Sequence, residues 1–531
     1  ESKKQFWSFV KSLRKDSSGV PALKEKGVLT SEDSQKAEIL NEYFRSVFTT
    51  ENLQTLPNIP QSNISGINNI IIHTPGIEKL LKNLDPKKAS GVDEISPRIL
   101  KEFSQELAPL LSKIFQASFD TGYLPEDWRK ANITPIHKKG DRTKPENYRP
   151  ISLTSVCCKL LEHVVHSHIM NHLESYNILS KYQHGFRKGH SCESQLIQTM
   201  HDLTLSLDKR TQTDMIVTDF SKAFDTVPHH RLILKLNQYG INGKTNRWIS
   251  SFLQDRHQRV VLGGEHSQWV RVKSGVPQGT VLGPLLFLIY VNDIPDELSS
   301  TVRLYADDCI LYSGIKTQLD ATRLQDDLDR LSAWVDKWQM QLNPQKCHVL
   351  RFNASRSPVT TKYTIGGTVL QETPSHSYLG VEISNDLKWD KHISNITSSA
   401  NKVNGFIRRN LISCTKQTKS LAYTTLVRPI VEYSSSVWDP YTKEHTQEIG
   451  KVQRRAARMV CNDYRQTTSA TKLMVGLGWD LLSIRRKVSR VCILHKALGG
   501  HLALPVSDYL RPATRATRRT SGNSFIQYST R

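Results

Sequence analysis

Leu324, Leu328, Leu331 and Val335, continued by Trp338 and Leu342, step along the chain by four and by three. That one-sided spacing predicts a helix, and Asn343-Pro344 is where it should stop. Helical spacing also marks FWSFVKSL and KAEILNEYFRSVF within residues 1–50, a small helical extension, and IEKLLKNL and PRILKEFSQELAPLLSKIFQASF further on. Between these lies a linker, residues 51–75, rich in Asn, Pro, Ser and Ile. Other segments read as extended. ANITPIHKKG predicts a strand entering a Gly-Asp turn, and RPISLTSV starts extended before a long amphipathic helix. TQTDMIVTDF predicts a strand ending in Asp219, and VRVKSGVPQG a strand meeting a tight turn, with an apolar helix from about Val281. RLYADDCILY predicts a hairpin carrying Asp307 and Asp308 at its tip. Strands and helices mix without βαβ regularity, so the class is α+β. The sequence holds no internal repeat and no low-complexity tract.

Composition changes this picture in one respect. The 531 residues, 38% hydrophobic and 23% charged, suit a large globular protein of about three or four units. The formal charge of +22 is unevenly spread, however. Residues 401–531 hold 23 basic and 7 acidic side chains, a net +16. Basic excess gathered in one region is the footprint of a phosphate-backbone binder. The eight cysteines form no C-x-x-C pair and no Cys/His cluster, so no structural zinc is expected, and free thiols suit a reducing, intracellular setting. VLGPLLFLIYV, Val281–Val291, is too short to span a bilayer, and no signal peptide opens the chain. The first residue is Glu rather than Met, as in a fragment or a processed product.

The acids at the hairpin tip pose the chemical question. Two neighbouring carboxylates in an apolar strand pair repel each other and resist burial. Asp219, at the end of a strand about 90 residues upstream, is the candidate third ligand. Three such acids on adjacent strands could hold two Mg²⁺ ions about 4 Å apart, which would activate a hydroxyl and stabilise leaving pyrophosphate.

VTDFSKAFDTVPH, SGVPQGTVLGPLLFLIYVNDI and RLYADDCILY, in this order, resemble the palm motifs of reverse transcriptases, more narrowly those of non-LTR (LINE-type, jockey-like) retrotransposons. ITPIHKKGDRTKPENYRPISL and QHGFRKGHSCESQL resemble that group's fingers segments, and SYLGVEISNDLKWDKHI, LVRPIVEYSSSVW and KVQRRAARMV resemble its segments C-terminal to the palm. The similarity runs from about Phe6 to the C-terminus. It implies a right-hand polymerase with a reverse transcriptase domain at about residues 115–385. Residues 1–80 would be a helical extension and linker, 81–215 fingers, 216–385 palm with primer grip, 386–475 thumb, and 476–531 a basic, truncated C-terminal region.

By the same resemblance, Asp219 and Asp307 are metal ligands, with Asp308 beside them and the Phe220 carbonyl available to one ion; Mn²⁺ could replace Mg²⁺. Phe224 would lie beneath the sugar and reject a 2′-hydroxyl. Gly275, Pro277, Gln278 and Gly279 would bring backbone to the nascent base pair, Gln278 hydrogen-bonding it. Lys138 or Lys139, with Arg149, would hold the triphosphate, and Lys346 would protonate the departing pyrophosphate. Tyr378, Leu379 and Gly380 would grip the primer. Ile449, Val452, Ala456 and Met459 would face inward on a thumb helix that presents Lys451, Arg454, Arg455 and Arg458 to an A-form duplex. The implied partners are an RNA template, a DNA primer, their hybrid and dNTPs, with no membrane, and the implied place is the nucleus, at nicked chromosomal DNA. Neither an endonuclease nor a ribonuclease H segment is expected in this sequence. The rival readings are a catalytically inactive nucleic-acid-binding remnant and an RNA-dependent RNA polymerase, which Phe224 and the PQG turn oppose.

Overall fold

The computed structural model describes residues 19–25, 27–59, 64–67, 69–353 and 357–510; the FWSFVKSL pattern and the SGNSFIQYSTR tail fall outside them. A hairpin of Leu23–Glu25 with Val28–Thr30 leads into helix α1 (Asp33–Ser46), so the segment read as helical also contains strands. Helix α2 (Thr74–Lys82) follows, then Pro97–Glu102 and α3 (Ser104–Thr121). These last two are separate because Phe103 leaves helical geometry at φ −100° and ψ 34°. Next come β1 (Lys130–His137), β2 (Tyr148–Leu153), α4 (Val156–Ser175), α5 (Cys192–Asp208) and β3 (Gln212–Thr218). Helix α6 (His229–Gln238), β4 (His257–Leu262) and α7 (Leu282–Val291) precede the hairpin of β5 (Thr301–Tyr305) and β6 (Asp308–Ile315). The strand expected in VRVKSGVPQG is only Val270–Arg271, paired to β4.

Helix α8 (Gln318–Lys337) starts at a capping box between Thr317 and Asp320. It ends before Asn343-Pro344. Gln339 turns left-handed at φ 51°, its N–H bonds Asp336 O, and the Met340 N–H reaches Val335 O at 3.0 Å. This is the Schellman arrangement, with Gln where Gly is usual, and it releases Leu342 into a bridge with Phe220. Strands β7 (His348–Phe352), β8 (Ser375–Tyr378) and β9 (Val381–Ser384) then lead to helices α9 (Asp390–Asn410), α10 (Lys443–Cys461) and α11 (Leu482–Leu498).

Every residue of β3 is buried, because both faces of its sheet are covered. The sheet runs Gln371–Glu372, β7, β3, β6, β5, with β3 antiparallel to both neighbours. Ile216 and Leu311 point into a core with α4 and α7. Met215, Val217 and Ile310 point oppositely, against Leu196 and Leu203 of α5 and the Trp438, Val452 and Ala456 side chains further along the chain. That explains why the Met215–Val217 stretch of β3 reads as a continuous apolar run rather than an alternating one. Its one buried acid, Asp214, is paired with Arg351, Gln212 and Tyr363.

A second sheet orders β2, β1, β4 and Glu265–His266, with β1 parallel to β4. Ala37, Leu40 and Phe44 of α1 cover it, packed on Ala131, Ile133 and Val260. The segment read as a linker is also anchored. The Glu51 carboxylate accepts from the backbone N–H groups of His230 and Arg231, capping α6 from outside, and the fully buried Arg231 guanidinium bonds Asn52 O and Thr55 O. Among the described residues no helix is long and apolar enough to cross a membrane.

Candidate active site

The two strand ends meet where β3 leaves its ladder. Pairing of Cys309 with Thr218 is the last in register, so Asp219 and the Asp307–Asp308 turn emerge side by side beyond it. The turn is tight because Ala306 is left-handed at φ 55°. A residue that the sequence did not single out supports it. Gln183 Oε1 accepts from the Ala306 N–H at 3.0 Å and from the Gly185 N–H at 2.7 Å, and a Cβ on Gly185 would stand 2.4 Å from Ala306 N. Its signal was the glycine beside it in QHGF, which permits this approach.

On the other side, Asn343 N–H bonds Asp219 O at 2.8 Å and Ser221 N–H bonds Gln341 O. Phe220 and Leu342 therefore form a non-hydrogen-bonded pair, and the Phe220 carbonyl points away from that segment, toward the β6 side.

The acids face cations from two directions. Lys346 Nζ stands 3.7 Å from Asp219 Oδ2. Across from them, the β1–β2 turn presents Lys138 and Arg149; the Ile136–Arg149 pair is in the ladder, and Lys138 N–H bonds Asn147 O. Asp308 keeps a path to solvent, yet the protein around its base and its neighbours Asp307 and Asp219 push its carboxyl up to about 6, while Lys138 and Arg149 pull it down. Lys138 is lowered from its usual range by burial, Arg149 and Lys139, and Asp307 and Asp219 oppose this.

Among the described residues, no three His, Cys, Asp or Glu side chains converge into a ready cage for a metal ion. The donor set nevertheless suits Mg²⁺, which is held by one or two carboxylates and completes its shell with water and substrate phosphate.

Phe224 is half-buried, stacked on Phe287 at 4.4 Å and 17° and edge-on to Phe186. Its carbonyl accepts from Val276 N–H at 2.7 Å, which ties it to the GVPQG turn. The Gln278 amide is directed at Asp225 Oδ1, 2.9 Å away, rather than left free for a base pair. Gly275 and Gly279 have φ near 90° and 104°, and a Cβ on either would meet backbone oxygen under 3 Å away.

Tyr378 opens the turn that is expected to grip the primer. It is buried, and its hydroxyl accepts from Gln195 Nε2 at 3.1 Å; only the Leu379–Gly380 turn reaches the surface. On α10, Ile449, Val452, Ala456 and Met459 are buried, and Lys451 and Arg455 are exposed. Arg458 is spent internally, donating to the carbonyls of Asp463, Arg465 and Thr468.

Residues 136–383 match the family model described as Reverse transcriptase (RNA-dependent DNA polymerase). This is a reverse transcriptase domain. The chain is 29% identical over 518 residues to the probable RNA-directed DNA polymerase from transposon BS of Drosophila melanogaster, covering 91% of this chain and 55% of that protein. It is 27% identical over 464 residues to the RNA-directed DNA polymerase from mobile element jockey of the same fly (83% and 50%). It is 28% identical over 453 residues to the probable RNA-directed DNA polymerase from transposon X-element (81% and 48%). The chain thus spans about half the length of these curated relatives, and its resemblance to the jockey-like, non-LTR group extends well beyond the reverse transcriptase domain on both sides.

Proposed function

We propose that this chain is the RNA-directed DNA polymerase part of a non-LTR retrotransposon protein, extending a primer 3′-hydroxyl with dNTPs on an RNA template. The observation that carries this is the meeting of Asp219, Asp307 and Asp308 at two strand ends, opposite Lys138 and Arg149 and beside Lys346. Carboxylates, a guanidinium and ammonium groups at one mouth suit a triphosphate that arrives with divalent cations.

In this reading the Asp219–Asp308 sheet is the palm, the β1–β2 hairpin belongs to the fingers, and α9 and α10 to the thumb. Asp219, Asp307, Asp308 and the Phe220 carbonyl would hold Mg²⁺, which supplies charge neutralisation at the transferring phosphoryl group. Lys138 and Arg149 orient the triphosphate, and Lys346 delivers a proton to pyrophosphate. Phe224, fixed by Phe287, excludes a 2′-hydroxyl. Lys451 and Arg455 meet the RNA–DNA hybrid. Priming at nicked chromosomal DNA would place the work in the nucleus.

The test is primer extension on an RNA template with Mg²⁺ and either dNTPs or NTPs, the chain run beside Asp307→Asn. Extension with dNTPs that disappears in the variant is the expected result. Duplex binding without extension would leave a remnant scaffold, and preference for NTPs an RNA polymerase.

A further inference from the structure

The Leu379–Gly380 turn holds two consecutive residues at positive φ, 46° and 83°. Tyr378 pairs with Val381 on either side, so this is the two-residue hairpin whose first position favours Asn, Asp or Gly. A branched, bulky Leu rarely adopts it, and such a residue persists where its surroundings over-determine the backbone.

Those surroundings come from a distant stretch of chain. The Tyr433 hydroxyl donates to the Leu379 carbonyl at 3.0 Å, and the Tyr433 ring lies so close over Gly380 that a Cβ there would stand 3.1 Å from its Cε1. Tyr433 is itself held from behind. Its N–H bonds Pro429 O, its carbonyl accepts from the indole of the buried Trp438 at 2.8 Å, and Ser436 next to it bonds Glu193 of α5. The ring remains 44% exposed, so it covers the turn without being core.

The same phenol lies on the side of the acids. Cys192, the first residue of α5, acts electrostatically on both Tyr433 and Tyr305. Tyr305 is the ladder partner of Asp308. Neighbouring residues thus run from Leu379 through Tyr433 and past Cys192 to Tyr305 and Asp308. The two ends of this run are the turn assigned to the primer backbone and the acids assigned to the primer 3′-hydroxyl.

We propose that Tyr433 is a positioning residue that sets the primer terminus, clamping the Leu379–Gly380 turn at a fixed offset from the Asp307–Asp308 hairpin. The assignment rests on the polymerase reading of the site. Tyr433 touches neither nucleotide nor metal, so it should act on the alignment of the hydroxyl and not on dNTP affinity. Loss of one hydrogen bond to a strained turn should lower the turnover rate about tenfold.

The experiment compares the full chain with Tyr433→Phe, which keeps the ring and removes only the hydroxyl, and with Tyr433→Leu. Steady-state kcat and KM for dNTP are measured on an RNA–DNA template–primer, with thermal melting alongside. A primer ending in 2-aminopurine reports, without turnover, how firmly the terminal base is held. The expected result is a kcat lowered about tenfold in Tyr433→Phe and further in Tyr433→Leu, with KM for dNTP and the Tyr433→Phe melting temperature unchanged, and brighter 2-aminopurine. Tyr433→Phe equal to the parent in kcat and fluorescence overturns the proposal. So does a fall in kcat that merely tracks a fall in melting temperature. A parent chain that binds duplex but never extends it sinks the polymerase reading instead; the fluorescence of bound primer then decides the clamp alone, brightening supporting it and no change ending it.

Discussion

The Gln278 amide donates to the Asp225 carboxylate at 2.9 Å, so the GVPQG turn and the loop that carries Phe224 are one rigid unit. Burial pushes the Asp225 carboxyl up to about 6, and the bond from Gln278, then Lys222 and Arg149, holds it from rising further. A carboxyl raised in the folded state weakens the fold once it ionises. That cost is complete above about pH 6 and absent below about pH 4. Gln278→Ala removes a donor to the charged form and should cost about 1–2 kcal/mol near pH 8, with the loss fading as the pH falls through about 6. Melting curves across that range check it, and a pH-independent loss would contradict the assignment.

Asp308 is a second carboxyl whose ionisation costs stability, here without a neutral donor to offset it. Its carboxyl is raised to about 6 by the surrounding protein and then by Asp307 and Asp219. Asp308→Asn, in the metal-free chain, should gain about 1 kcal/mol near pH 8 after allowance for its exposure, and less near pH 5. Primer extension should collapse in the same variant. Equal melting temperatures at both pH values would show that the acids do not repel one another.

Phe224→Val should raise incorporation of NTP relative to dNTP by about tenfold or more, because the smaller side chain no longer fills the space under the sugar. The stacked Phe287 would lose its partner, so a modest fall in melting temperature accompanies the change. An unaltered NTP/dNTP ratio would mean that the ring serves only the core.

Glu51→Gln tests the anchor of the irregular stretch before α2. Burial alone would raise the Glu51 carboxyl, but the bonds from His230 and Arg231 outweigh it and hold it below its usual range. A lowered carboxyl contributes stability that is present above about pH 4.3 and lost as the pH falls through its folded value. The substitution should therefore cost about 3 kcal/mol near pH 7, since Arg231 is fully buried, and the gap should close in acid. Melting temperatures of parent and variant, followed from pH 7 down past the folded value of the Glu51 carboxyl, check both halves of this.

Local signals carried the reading of the strands that bear Asp219, Asp307 and Asp308 well. The apolar residues flanking Asp307 and Asp308 marked their hairpin, and the Met215–Val217 run before Asp219 marked β3, because both depend on neighbours in sequence. The boundaries set by long-range packing were less visible. Gln339, a residue with no turn signature, ends α8 because Val335 and Met340 are both buried and pull the chain back on itself. β4 joins the β1–β2 sheet from a distance of more than 100 residues, where nothing in its own sequence names its partner. The Tyr378–Gly380 turn was legible as a turn, whereas the burial of the Tyr378 ring and the bond its hydroxyl accepts from Gln195 depend on a helix 183 residues away. Gln183 and Tyr433 act through a hydrogen bond to someone else's backbone, which leaves no periodicity to read.

The reverse transcriptase match begins at Ile136, one residue before β1 ends, and stops at Ile383, within β9. Outside those limits lie α1, which covers the β1–β4 sheet, α3, whose Phe115 and Phe119 complete the main core, and α10, which closes the far face of β3 and β6. An excised 136–383 piece would expose three apolar faces at once. The stretch that the family pattern matches and the stretch that can stand alone as a solid body have different edges, and anyone who cuts this chain for expression should respect the second.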